Sequence, residues 1–166
     1  MIPLGISQEG SFFVGRCTDG RGQWLCINSK CIHRILKEPH KIRRKRDCPA
    51  PSREMVQEQL FAHFSNEAKR HLVEASKSGL IVHGSHRVKK EVKQNLCVIL
   101  FSTDSGTATR TQIEELYKQV QSWTFPLSSR EIGRLIGRGP RSVLALQPSR
   151  RTQSLIDSLR GWVSLG

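Results

Sequence analysis

Three groups of side chains in this sequence are of types that could do chemistry. The first is Cys26, Cys31, His33, His40 and Cys48, all potential metal ligands. Their spacing, Cys-x4-Cys followed by Cys-x16-Cys, lacks the close Cys-x2-Cys pair typical of structural zinc sites. Cys26 falls in a strand-like run and Cys31 on the apolar side of a helical pattern, so packing in a core is expected for both, and no metal. The second group is the acids. Phosphodiester hydrolysis needs clustered carboxylates to hold a metal, or a paired general base. The nearest pair here, Glu114 and Glu115, are helix neighbours that point apart, so no catalytic constellation and no enzyme is expected. The third group is the cations. They concentrate in Lys30, Arg34, Lys37 and Lys41, in the run Lys41-Ile42-Arg43-Arg44-Lys45-Arg46, around Gly84, and at Arg138 and Arg141. Their chemistry is capture of anions, phosphate above all.

The charge balance agrees. Lys and Arg number 27 against 14 Asp and Glu, giving +13 in 166 residues and an isoelectric point near 10.2. Residues 1–64 carry 11 basic and 6 acidic side chains, a net +5, and residues 65–166 carry 16 and 8, a net +8. Both halves are basic, so no single tail supplies the excess. A compact protein with this charge repels itself, and a polyanion relieves that. Neutralised phosphates release counterions, which makes nucleic acid the leading partner. The competing reading is a charged surface that only aids solubility. The sequence shows no helix-turn-helix and no long basic recognition helix, which weighs against a DNA-binding regulator. The five cysteines are an odd number, the opening MIPLGISQEG has neither a basic nor an apolar leader segment, and no apolar run approaches membrane-spanning length. A reduced cytoplasmic protein is the expectation.

The elements that must position these residues follow from periodicity. Two apolar runs, 12–14 and 23–27, flank a turn containing Asp19-Gly20-Arg21-Gly22 and read as strand, loop, strand. Asn28 is placed to cap a helix reaching Lys37, with Ile32, Ile35 and Leu36 inward and Lys30, Arg34 and Lys37 on one cationic stripe. Pro49 and Pro51 break the chain. Ser52 then opens a helix with Val56, Leu60 and Phe64 four apart, and Ser65-Asn66 reads as a boundary before a helix over 67–78. From there helices and strands alternate: strand 80–82, helix 85–94, strand 96–101, helix 111–121, strand 123–125, a helix opened by the capping box Ser128-Ser129-Arg130-Glu131, strand 142–146, and a last helix from Ser149. The third helix of this half carries Ile113, Leu116, Tyr117 and Val120 inward, and Trp24, Trp123 and Trp162 read as core. The expected fold class is α/β, a small α+β module (1–64) followed by a three-layer α/β/α sandwich (65–166). Gly133, Gly137 and Gly139 close a helix, whereas a dinucleotide fingerprint opens one, so no nucleotide cofactor and no small-molecule substrate is expected.

In 19–36, DGRGQWLCINSKCIHRIL, the positions Gly20, Arg21, Gly22, Trp24 and Cys26, followed by Lys30, Arg34 and Lys37, make the first 64 residues resemble the YlxR family of small bacterial proteins. The second half is similar to the superfamily of kink-turn-binding ribosomal proteins. The likeness rests on Lys77-Ser78-Gly79-Leu80-Ile81-Val82-His83-Gly84, on 97–101, and on Ser129-Arg130-Glu131-Ile132-Gly133-Arg134-Leu135-Ile136-Gly137. That resemblance implies RNA contact at Gly84, Ser85, His86, Arg87, Lys89 and Lys90, and again at Arg138, Gly139, Pro140 and Arg141. Where strong kink-turn binders carry Asn and Glu, this chain has His86 and Arg87. Together the residues and the resemblance lead to one expectation: RNA binding through Arg21, Gly22, the stripe Lys30 to Lys41, the run Arg43 to Arg46, and the two loop clusters of the second half. The partner expected is structured, possibly ribosomal, RNA.

Overall fold

The first sheet is built from β1 (Ile2–Ile6), β2 (Phe12–Val14) and β3 (Gln23–Leu25), in the order β2-β1-β3 with both pairings antiparallel. The central strand was invisible to sequence reasoning because Pro3 and Gly5 interrupt it, and proline in a central strand removes a ladder donor. Pro3 is tolerated at the sheet's end: its carbonyl accepts from the Gly15 N–H at 3.0 Å, one residue past β2. Ile2, Leu4, Ile6, Phe12 and Leu25 are buried. The computed structural model describes residues 1–6, 11–15, 23–42, 50–91 and 95–166.

After β3 comes α1 (Ser29–Lys37), with Asn28 accepting from the Lys30 N–H at 2.9 Å as the expected cap. A short 3-10 helix, Pro39–Lys41, follows. The next helix, α2, runs unbroken over Arg53–Lys77, capped by Ser52 through the Met55 N–H at 3.1 Å. The boundary expected at Ser65-Asn66 is therefore corrected. Val56, Leu60, Phe64, Ala68, Leu72 and Ala75 form one continuous buried stripe through it. The Ser65 hydroxyl, instead of capping a new helix, donates back to the Ala62 carbonyl at 3.1 Å within the same one.

The second sheet contains β4 (Ile81–His83), β5 (Val98–Phe101), β6 (Gln121–Thr124) and β7 (Val143–Leu146). Its order is β4-β7-β5-β6, with β7 antiparallel to both neighbours and β5 parallel to β6. The helices are α3 (Ser85–Glu91), α4 (Thr107–Leu116), α5 (Ser129–Leu135) and α6 (Arg150–Val163). Every residue of β5 and β7 is buried, as expected for strands covered on both sides. On one face Ile99, Phe101, Val143 and Ala145 pack with Val88 of α3 and Ile113 of α4. On the other face His83 lies 3.4 Å from the Ser76 hydroxyl of α2. The α/β layering expected from the alternation is thus present in the second unit, as a mixed four-stranded sheet flanked by helices, and the small antiparallel sheet belongs to the first. One boundary shifts: α4 starts at Thr107 and ends before Tyr117, whose hydroxyl donates to the Val88 carbonyl at 2.6 Å, and Leu116, expected inward, is 57% exposed.

The chain divides into two compact units, Met1–Ala68 with Ile156–Gly166, and Lys69–Leu155. No helix among the described residues is long and apolar enough to cross a membrane.

Candidate nucleic-acid interface

The antiparallel register of β4 and β7 does what no local sequence signal could. His83 sits opposite Leu144, and the Gly84 N–H donates to the Val143 carbonyl at 2.8 Å. The loop leaving β4 therefore meets the chain entering β7, and the two cationic clusters of this unit converge at one end of the sheet. Three of the four strands (β4, β5 and β6) point their carboxyl ends this way, the end where open sheets of this class bind ligands. Gly84 has φ +89°, a value side chains disfavour, and its carbonyl accepts from the Val88 N–H at 3.0 Å to start α3. The turn thus delivers Ser85, His86 and Arg87 directly beyond the strand.

The opposing loop is held from both ends of α5. At its start, Ser128 accepts from the Glu131 N–H at 3.3 Å and the Glu131 carboxylate accepts from the Ser128 N–H at 2.8 Å, which is the capping box expected from the sequence. Asp104, in the loop after β5, accepts from the Ser129 N–H at 2.7 Å and the Ser129 hydroxyl at 2.8 Å. The Ser102 hydroxyl, with the Ser129 amide and hydroxyl, lowers the Asp104 carboxyl from its ordinary 3.8 to about 2. At the end of α5, Gly137 takes φ +67° and the Arg138 N–H returns to the Gly133 carbonyl at 2.8 Å. The loop then folds back over the helix. A Cβ on Gly133 would stand 2.4 Å from the Gly139 carbonyl oxygen, so only glycine permits this approach. The Arg141 N–H closes the loop on the Ser129 carbonyl at 2.9 Å.

The cations of the two loops lie around this meeting point, where the Arg141 side chain passes Gly84. Arg87 and Arg138 are exposed and Arg141 half-buried. His83 is half-buried beside them. Burial first, then the positive charges of Arg138, Arg141 and Arg87, pull its pKa below the ordinary 6.5, so it stays neutral near pH 7. Two nitrogens here are buried without a hydrogen-bond partner among the described residues, His83 Nδ1 and Arg141 Nε. Arg141 does use another guanidinium nitrogen, on the Pro140 carbonyl at 3.0 Å. Of the two, Arg141 Nε can only donate, whereas His83 Nδ1 donates or accepts according to the tautomer of the ring. His83 is not among the contacts expected from the sequence, and the Val-His-Gly-Ser order at a strand end was the signal available for it.

Not all predicted residues join this cluster. His86 and Lys90 are exposed on α3, while the Lys89 ammonium donates to the Gln112 side chain of α4 and so turns away from Gly84. In the other unit Lys30, Arg34, Lys37 and Lys41 are all exposed. Glu38, which sequence reasoning passed over, lies among them: its carboxylate is 2.7 Å from Lys41 Nζ and 3.5 Å from Arg34 Nε. Lys41 first, and then Arg34, hold the Glu38 carboxyl below its ordinary pKa. The stripe is therefore partly neutralised. Arg21, Gly22, Arg43, Arg44, Lys45, Arg46 and Cys48 lie outside the described residues. Two core assignments are corrected. Trp24 is 65% exposed, because its strand position points away from the buried side occupied by Leu25. Cys26 is exposed, because β3 ends at Leu25. Among the described residues no three His, Cys, Asp or Glu side chains gather as a metal site would require.

No family model and no curated protein matches this sequence. Solved structures do match. A Bacillus halodurans protein of unknown function is 19% identical with a TM-score of 0.51, over 56% of this chain and 96% of its own. A 15.5 kDa RNA-binding protein from Giardia lamblia is 13% identical with a TM-score of 0.43, over 63% of this chain and 91% of its own. The first of these is a likeness of fold.

Proposed function

We propose that this chain binds structured RNA, and binds it without catalysing a reaction, with the cationic cluster where Gly84 meets Arg141 as the main seat. One observation carries the reading: Arg87, Arg138 and Arg141 converge on a glycine turn where two buried nitrogens lack partners. Guanidinium planes pair with phosphate bidentately and stack on unpaired bases, which suits RNA whose backbone bends and whose bases are splayed. The acids nearby are occupied in holding structure. Asp104 holds Ser129, and Glu131 closes the capping box. None is poised as a general base. His86 and Arg87, in place of the Asn and Glu of strong kink-turn binders, favour bent or bulged RNA in general, ribosomal RNA included, over a strict kink-turn. The first unit, 1–64 in the sequence reading, adds a second, weaker electrostatic contact on the same chain, raising overall affinity through effective concentration.

The test is a gel shift with fragmented ribosomal RNA across a salt series, with duplex DNA as competitor. RNA binding that resists the DNA and falls steeply with salt supports the reading. Equal affinity for DNA and RNA, or no binding at moderate salt, removes it and leaves a nonspecific or solubilising basic surface.

A further inference from the structure

His83 is the last residue of β4, and three elements of its unit face it. Arg87 comes from α3, and Arg138 and Arg141 come from the loop after α5. The bond from the Gly84 N–H to the Val143 carbonyl brings that loop alongside, and the Arg141 Cδ lies 3.9 Å from the place a Cβ on Gly84 would take. From α2 the Ser76 hydroxyl stands 3.4 Å from His83 Nε2, and β7 sets the apolar Leu144 opposite in the register. Every charge that acts on the ring is positive, and none is a carboxylate. A second ring proton is therefore unwelcome. An imidazolium donates from both nitrogens. Ser76 can accept one of those bonds, while Nδ1 is buried with no partner among the described residues. Burial first, and then the three arginines, keep the ring neutral near pH 7.

We propose that RNA binding at this cluster is coupled to protonation of His83, so that the site takes up a proton with its RNA and holds the RNA more tightly as the pH falls below neutrality. The inference rests on the RNA-binding reading above and adds a regulator to the same site. A phosphate seated on the arginines cancels their repulsion of an imidazolium and adds an attraction of its own, while the burial remains. The half-buried position matters here, because salt screens such a charge less than it screens a fully solvated one. The coupling is reciprocal: RNA strengthens the hold of His83 on a proton, and the proton strengthens the hold of the site on RNA. The sign follows from linkage. The free ring gives up its proton readily and the RNA-bound ring keeps it longer. Affinity for RNA therefore rises as the pH falls through the titration of the bound ring, and it levels off below that of the free ring.

A short RNA hairpin with an internal bulge, titrated into the full chain at about pH 7.5 and at about pH 5.5 with ionic strength held constant, tests this. In the natural chain binding is expected to be about fivefold tighter at the lower pH, a modest coupling between two sites. In His83→Gln, whose amide can still bond Ser76, the ratio is expected to fall to about twofold or less. The ratio is taken within each chain, so any change of affinity common to both pH values drops out. The magnetic resonance signals of the His83 ring protons, assigned through the backbone, give a second readout on the natural chain alone. Their titration midpoint is expected to move to higher pH when the hairpin is added. This readout decides the matter if His83→Gln does not fold. Equal pH ratios in the natural chain and the variant, or a His83 titration that the hairpin leaves in place, overturn the coupling and leave the RNA reading standing. If the natural chain binds the hairpin at neither pH, the RNA reading fails and the coupling with it.

Discussion

The two units solve the same electrostatic problem in different ways. In the first, the cations Lys30, Arg34, Lys37 and Lys41 stand exposed on a helix and the turn after it, and Glu38 offsets two of them. In the second, strand pairing brings Arg87 to the loop of Arg138 and Arg141, that loop is fixed by caps and a glycine contact, and a histidine that stays neutral stands beside them. The first surface attracts phosphate at a distance and is screened by salt. The second fixes geometry as well as charge. The difference teaches that a count of cations, 11 in residues 1–64 and 16 in residues 65–166, says little about how each set is held. A positioned, partly desolvated cation such as Arg141 contributes more than a solvated one.

Removing each set of charges is the strongest way to break this comparison. Replacing Arg87, Arg138 and Arg141 together by Gln is expected to weaken binding of structured RNA by roughly 1000-fold, about tenfold for each charge-assisted contact. The triple change of Lys30, Arg34 and Lys37 to Gln is expected to cost only about tenfold at moderate salt. Both lower the slope of log affinity against log salt by about 2. Filter binding over a salt series measures both quantities. Equal losses from the two triples would show that the arginine cluster adds nothing beyond its charge.

Gly133 sharpens the same point without touching charge. With Ala there, the Cβ meets the Gly139 carbonyl, and the loop carrying Arg138 and Arg141 must lift from α5. A stability loss of about 1–3 kcal/mol is expected in urea unfolding, with RNA affinity down about tenfold. Retained affinity despite lost stability would mean that loop geometry is dispensable.

How much of this was legible beforehand follows from the range of each signal. The capping box, the Asn28 and Ser52 caps and the two cationic loops are local, and the sequence displays them. The meeting of Gly84 with Arg141 depends on β4 pairing with β7, a non-local choice that no periodicity encodes. The exposure of Trp24 escaped because β3 has only three residues, too few to reveal which side is buried. The unbroken α2 was readable in the stripe from Val56 to Ala75, yet the cap-like pair Ser65-Asn66 outweighed it.

Acid separates structural charge from binding charge. The Asp104 pKa in the folded chain is depressed, from 3.8 to about 2, so it stabilises the fold above its unfolded value, and that contribution is lost as pH falls from about 4 towards 2. Asp104→Asn is expected to remove this limb of the stability curve and to loosen the start of α5. The folded pKa of His83 is likewise depressed, so its contribution is present above 6.5 and lost as pH falls below that value. His83→Phe should flatten stability between pH 6.5 and lower values, read by thermal melts in a pH series. A melt profile unchanged by either variant would remove both groups from the account of how the loops are held.

The smallest effect concerns the stretch where the sequence suggested a division of the chain. Asn66 is exposed in the interior of α2, five residues beyond Phe61 and far from either end of the helix. If a helix began there, Asn66 or Ser65 would cap it, and Asn66→Ala would lose about 1 kcal/mol. In a continuous helix the same change replaces a poor helix former by the best one. It should then stabilise the protein by about 0.5 kcal/mol, since no backbone donor is left without a partner. The two arrangements predict opposite signs for one surface substitution that touches neither basic face. Urea unfolding resolves that difference, and a gain places residues 53–77 in one helix in solution. The boundary between the two basic surfaces then lies inside a regular element, where it interrupts no hydrogen bond and leaves no linker to read.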